Sequence, residues 1–98
     1  MTAVKVEQVS AEEIRLSGDM IFATVLSART SLLSLLSSAS GTCRVDWSGI
    51  DRVDSSALSM WLVCQRYAQS RDLKLVLENP PSGFSSIAGL VGLADRLS

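Results

Sequence analysis

The hydrophobic period of the chain changes several times, and each change marks an element. Val4-Lys5-Val6-Glu7-Gln8-Val9 alternates apolar and polar residues, the period of two expected of a half-buried strand. Ile14-Arg15-Leu16-Ser17 alternates in the same way, and Ser10-Ala11-Glu12-Glu13 reads as a short hairpin connection between them. Gly18-Asp19 is expected to end the second strand. From about Thr24 to Ser38 the period becomes helical, with Val25, Ala28, Leu32, Leu35 and Leu36 on one side. Thr24 is the expected N-cap, and the Ser-rich run up to Gly41 the expected stop. Thr42-Cys43-Arg44-Val45-Asp46-Trp47 predicts a short strand, and Ser48 to Asp54 a loop. A second helix is expected from about Ser55 to Ser70. Leu73-Lys74-Leu75-Val76-Leu77-Glu78 reads as a central strand, which Asn79-Pro80-Pro81-Ser82-Gly83 breaks. A short last helix is expected over about Phe84 to Leu90, with Gly92 as its stop.

The resulting order, β-β-α-β-α-β-α, implies an α/β fold. Strands joined by helices favour a mostly parallel sheet with right-handed crossovers. The first strand should run antiparallel to the second through the hairpin. The expectation is a mixed four-stranded sheet with three helices, in one domain over residues 1–98; no repeats or linkers interrupt it.

Composition narrows the chemistry. The chain has 98 residues, 47% hydrophobic and 19% charged, with a formal net charge of −1. This supports one compact core and gives no electrostatic reason to approach nucleic acid or an anionic membrane. Histidine is absent, which removes the commonest general base and metal ligand and rules out a Ser-His-Asp triad. Cys43 and Cys64 both sit in apolar segments and read as buried thiols of a cytosolic protein. Residues 1–17 contain no apolar h-region of a signal peptide, and Met20–Leu36 is interrupted by Arg29 and several hydroxyl residues. The expectation is a cytoplasmic chain without direct membrane insertion. No phosphate-binding Gly-rich loop, CxxC or HExxH motif occurs. Asp46, Asp51 and Asp54 are the nearest approach to a metal-dependent enzyme site; turn and cap chemistry is the preferred reading of all three. No enzyme activity, metal or cofactor is expected.

The candidate site is Asp54-Ser55-Ser56, where the chain is delivered to a helix N-terminus. In α/β sheets, binding sites gather at such junctions. Asp54 or Ser55 would cap the helix by accepting from its first free N–H groups. At 100° per residue, Ser55, Ser59, Arg66, Gln69 and Ser70 share the solvent arc. Ala57, Met60, Trp61, Cys64, Tyr67 and Ala68 lie on the core arc. Leu58 and Leu62 fall at the edge of the polar arc. A stripe of Ser55, Leu58, Leu62 and Arg66 is either ordinary amphipathic variation or a docking surface with a hydroxyl at one end and a guanidinium at the other.

Four stretches resemble the STAS domain family in order and spacing: Leu16-Ser17-Gly18-Asp19, Val45 to Ile50, Val53-Asp54-Ser55-Ser56-Ala57-Leu58, and Gly89-Leu90-Val91-Gly92-Leu93. The Asp-Ser-Ser junction is the most specific of them, and Ala57 stands where the family usually has Gly. Two branches are similar. In anti-sigma factor antagonists the first Ser after the Asp is phosphorylated by a partner kinase, which implies phosphorylation of Ser55 and an anti-sigma factor kinase as partner. A phosphate there would meet a helix N-terminus and add a charge of about −1.5 to −2. The other branch is the MlaB-type STAS subunit of the Mla phospholipid-transport system, which maintains outer-membrane lipid asymmetry. Gly18 to Val25 is similar to that branch's lead-in to the first helix, and so is Leu77-Glu78-Asn79-Pro80-Pro81 followed by Phe84, Ile87 and Ala88. This second resemblance implies a non-catalytic subunit. It would bind and support an ABC transporter ATPase subunit (MlaF-like) in a complex with a membrane permease, peripheral to the inner membrane. The implied partner-binding residues are Asp54, Ser55, Ser56, Leu58, Ser59, Leu62 and Arg66. The tail after Leu93 is short for the fifth strand common in the family.

Overall fold

The computed structural model describes residues 2–84. Strand β1 (Lys5–Ser10) and strand β2 (Glu13–Met20) form the expected antiparallel hairpin, with Val6 opposite Leu16. Helix α1 (Val25–Leu36) leads to strand β3 (Thr42–Val53), helix α2 (Ser55–Ser70) and strand β4 (Lys74–Glu78). The sheet order is β1-β2-β3-β4, with β2, β3 and β4 parallel. Both crossovers step the same way across the sheet, so right-handed connections place α1 and α2 on one face, where they pack against each other. The expected last helix lies outside the described residues beyond Phe84; residues 82–84 are already helical.

The core lies between the sheet and the two helices. Ile14, Leu16, Val45, Trp47 and Leu75 point inward from the strands, against Leu32, Leu36, Met60 and Trp61 from the helices. Trp47 meets Trp61 edge-on, with ring centroids 5.7 Å apart, and Phe84 closes on Trp47 at 4.9 Å, arrangements that suit aromatic quadrupoles. Cys43 and Cys64 are both buried free thiols. No helix among the described residues is long and apolar enough to cross a membrane.

The alternate residues of the strands face away from the helices. Register brings Glu7, Arg15, Asp46 and Glu78 into one row across the sheet. On this open face Arg15 pairs with Asp46 at 3.5 Å and with Glu13 at 3.8 Å, and Arg44 pairs with Glu13 at 3.3 Å. Asp46 also accepts from the Ser48 N–H, the Ser48 hydroxyl and the Asn79 amide.

Two strand boundaries differ from expectation, for one shared reason. β2 does not stop at Gly18, and Ser48–Val53 is strand instead of loop. These two segments pair with each other through Ser17–Gly49, Gly18–Ile50, Asp19–Arg52 and Met20–Val53, with two register shifts along the way. Such bulges break the alternation of side chains and hide the strands from a period-two reading. Glycine permits the close approach. A Cβ on Gly49 would stand 2.8 Å from the Leu16 carbonyl oxygen, and Gly18 has φ +101° beneath Ala3. The extension carries β3 to Val53, one residue short of Asp54.

Candidate functional site: the groove between the two helices

The site begins with Asp54, which leaves β3 in an extended conformation and becomes the N-cap of α2. Its Oδ1 accepts from the Ser56 N–H at 2.9 Å and from the Ser56 hydroxyl. Its Oδ2 accepts from the Phe22 N–H at 2.9 Å. One carboxylate therefore ties the start of α2 to the turn that precedes α1. Burial pushes the Asp54 carboxyl pKa up, but the hydrogen bonds from Ser56 and Phe22, helped by the Arg52 guanidinium, outweigh it and leave it below its ordinary value.

The preceding turn is fixed from its other side by Thr24. Thr24 is the N-cap residue of α1, as expected, yet its side chain caps nothing. Its hydroxyl donates to the Asp19 carbonyl at 2.5 Å and accepts from the Ile21 N–H at 3.1 Å. Asp19 itself is buried and accepts from the Thr2 N–H. The turn held between Asp19 and Asp54 presents Phe22, 82% exposed.

These constraints open a groove of about 490 Å³ between α1 and α2. Phe22, Val25, Leu26 and Arg29 line it from the α1 side. Ser55, Ser56, Ser59, Met60 and Val63 line it from α2. Its apolar surface is open: Leu26 is 64% exposed and Val63 is 37% exposed. Large exposed apolar side chains collected in one concave place mark an interaction site more strongly than the same residues scattered.

The expected site residues divide among several roles. Asp54 and Ser56 are joined to each other by the cap. Ser55 is exposed at the first helical position, and its hydroxyl makes no hydrogen bond among the described residues, so the cap is Asp54. Ser59 shares the groove wall with Ser55. Arg66 is exposed further along α2, and Leu62 is half-buried. Leu58 is a correction: it is 5% exposed and belongs to the core, so it forms no part of an exposed stripe. The open apolar edge of α2 is Val63, which faces α1. Phe22, Leu26, Arg29 and Val63 were not among the expected residues. The signal in the sequence was an apolar residue off the core arc of each helix. Asp46, Asp51 and Asp54 do not converge, and no group of metal-ligating side chains occurs among the described residues.

Solved structures share this architecture. The chain is similar to one described as the structure of the anti-sigma factor antagonist SpoIIAA in its unphosphorylated form, at 18% identity and a TM-score of 0.74, covering 95% of this chain and 84% of that one. It is also similar to the crystal structure of Mglu, at 20% identity and a TM-score of 0.64, covering 82% of this chain and 20% of that one. No curated protein matches the chain in sequence. The model of the family described as "Mlab, STAS domain" matches residues 4–98, and the chain belongs to that family.

Proposed function

We propose that the chain is a non-catalytic STAS subunit that binds the ATPase of an ABC phospholipid transporter and supports its activity from the cytoplasmic side of the membrane. STAS domains act through protein–protein contacts, and the family match is of the MlaB type. The observation that carries the reading is the groove: Phe22 and Leu26 stand open beside Ser55, with the turn between them held in place by Asp54. An exposed aromatic ring within a gathered apolar patch is a mark of a docking surface. The partner surface in this reading comprises Asp54, Ser55, Ser56, Ser59, Leu62 and Arg66 together with Phe22, Leu26 and Val63, and residues 1–98 act as one domain.

Co-expression with the ABC ATPase and permease subunits tests this. The expected result is a stable complex that Ser55→Arg and Phe22→Asp each weaken by about a hundredfold, the loss of a hot-spot contact, with the fold intact by circular dichroism. Failure to recover the ATPase would overturn the reading. An intact complex in both variants would remove the groove from it.

The second reading is an anti-sigma factor antagonist switched by phosphorylation of Ser55. The free, exposed Ser55 hydroxyl at the start of α2 favours it, since a phosphate there would sit at the positive end of the helix. That reading requires phosphate on Ser55 by mass spectrometry and a kinase-type anti-sigma partner in place of the ATPase.

A further inference from the structure

Charge is segregated in this molecule. Neither α1 nor α2 contains an Asp or a Glu, and their only charged side chains are Arg29 and Arg66. Both are exposed. Arg29 lines the groove, and Arg66 lies two turns beyond Ser59 on the same side of α2. The ion pairs among the described residues all lie on the strands, where Lys5, Arg15 and Arg44 meet Glu7, Glu13 and Asp46. Arg29 and Arg66 take part in none of them. A chain of net charge −1 thus keeps, among its described residues, two unpaired arginines beside its most exposed apolar side chains, and the one carboxylate at the groove mouth, Asp54, already has its oxygens engaged by Ser56 and Phe22.

We propose that the groove takes an acidic amphipathic helix of a partner protein. One apolar side chain of that helix enters between Phe22, Leu26 and Val63, and its flanking carboxylates meet Arg29 and Arg66. The inference rests on the reading of this face as a docking surface and adds the partner's chemistry. Charge complementarity of this kind selects partners and speeds encounter more than it adds raw affinity. An anionic lipid surface is the competing occupant. Membrane-surface segments use dense clusters of about four to eight basic residues around a protruding apolar face, whereas α1 and α2 together carry two arginines and no lysine around a concave centre.

Two blocked helical peptides test the proposal on the full chain, each with Leu at positions i and i+4, one carrying Glu and the other Lys at the flanking positions. Amide chemical shifts report binding and its location. The Glu peptide is expected to bind about tenfold more tightly than the Lys peptide, the combined effect of two exposed ion pairs, and to move Phe22, Leu26, Arg29 and Val63. Raising salt should shrink the difference, and the double variant R29E/R66E should reverse it. Equal binding of the two peptides would overturn the proposal. So would binding of neither, shifts confined to the open face of the sheet, or a response only to phosphatidylglycerol vesicles. The peptide preference and ATPase recovery are separate readouts, so either reading can fail while the other is seen to hold.

Discussion

On the open face of the sheet, Glu13, Arg15, Arg44 and Asp46 neutralise one another, and Ser48 and Asn79 complete the hydrogen bonds of Asp46. On the helix face, Phe22, Leu26 and Val63 stand open beside Arg29, and no side chain of either helix supplies a counter-charge. Both faces belong to one small core, so the contrast is not between a folded part and a loose one. It separates polar groups that find their partners inside the chain from apolar and charged groups that find none among the described residues. Exposed ion pairs contribute little stability, about 0–1 kcal/mol each, so the open face is a solvated surface that answers its own charges. The helix face leaves its largest exposed ring unpacked, which favours it as the surface kept for another molecule.

Asp54 is where this contrast is most easily broken. It caps α2 and also holds the Phe22 turn, so Asp54→Ala should remove both at once. The expected cost is about 1–3 kcal/mol in urea unfolding, from a lost cap and an unpaired N–H, with loss of docking on top of it. Asp54→Asn keeps an acceptor for the cap and should recover part of the stability. A variant within about 0.5 kcal/mol of the parent, the range of an ordinary surface change, would show that the groove is organised without this carboxylate.

Asp46 offers the matching change on the other face. Asp46→Ala should cost about 1–2 kcal/mol through the lost bonds to Ser48 and Asn79, and it should leave docking unchanged. The two carboxylates also set the acid limit of the fold. The Ser48 N–H foremost, with Asn79, the Ser48 hydroxyl and Arg15, holds Asp46 below its ordinary value of 3.8 despite its burial. Asp54 is lowered as well. A carboxyl whose folded pKa is depressed stabilises the fold fully above its unfolded value, and that contribution is lost as pH falls through the folded one. Stability should therefore hold at neutral pH and fall below about pH 4, near the ordinary carboxylate value. The fall should be shallower in Asp46→Ala. An acid slope unchanged by that substitution would detach Asp46 from the stability of the open face.

The same contrast explains what could be read from the sequence. The β1–β2 hairpin, the parallel sense of β2, β3 and β4 and the bounds of α2 follow from local periodicity, turn chemistry and helical crossovers, which the tertiary structure leaves undisturbed. The Asp54-Ser55-Ser56 junction was legible because capping is local. The second half of β3 was not, since Ser48 to Val53 becomes strand by pairing with the bulged end of β2, and no period within the segment records that pairing. The groove was missed for a related reason. A helical wheel separates the arcs of α2 but does not tell which edge a neighbour covers. The structure buries Leu58 and leaves Val63 open, and the α1 wall with Phe22 is brought there by a hydrogen bond between residues 22 and 54.

The smallest expected effect concerns the two thiols, which report on the two sides of the core. Cys43 lies on β3, and burial pushes its pKa up. Cys64 lies on α2, where burial pushes its pKa up to about 12, against a small opposing pull from the Arg29 guanidinium. Neither is reactive while folded, because the thiolate is the nucleophile. Modification by an aromatic disulfide reagent at pH 8 must then wait for an opening of the structure. In single-thiol variants, Cys43→Ala reads the helix layer and Cys64→Ala reads the sheet. If sheet and helices open as one cooperative unit, each thiol is modified with an opening free energy equal to the global value for its own variant. That equality is the expected result, since Trp47 from the sheet and Trp61 from α2 are both fully buried and in contact. A reaction at Cys64 tenfold faster than global opening of the same variant allows would mean that α2 opens alone, at about 1.4 kcal/mol less than the whole. The helix face would then differ from the sheet in mobility as well as in its unanswered charge, and the groove would be a surface shaped by its partner instead of one held ready by Asp54.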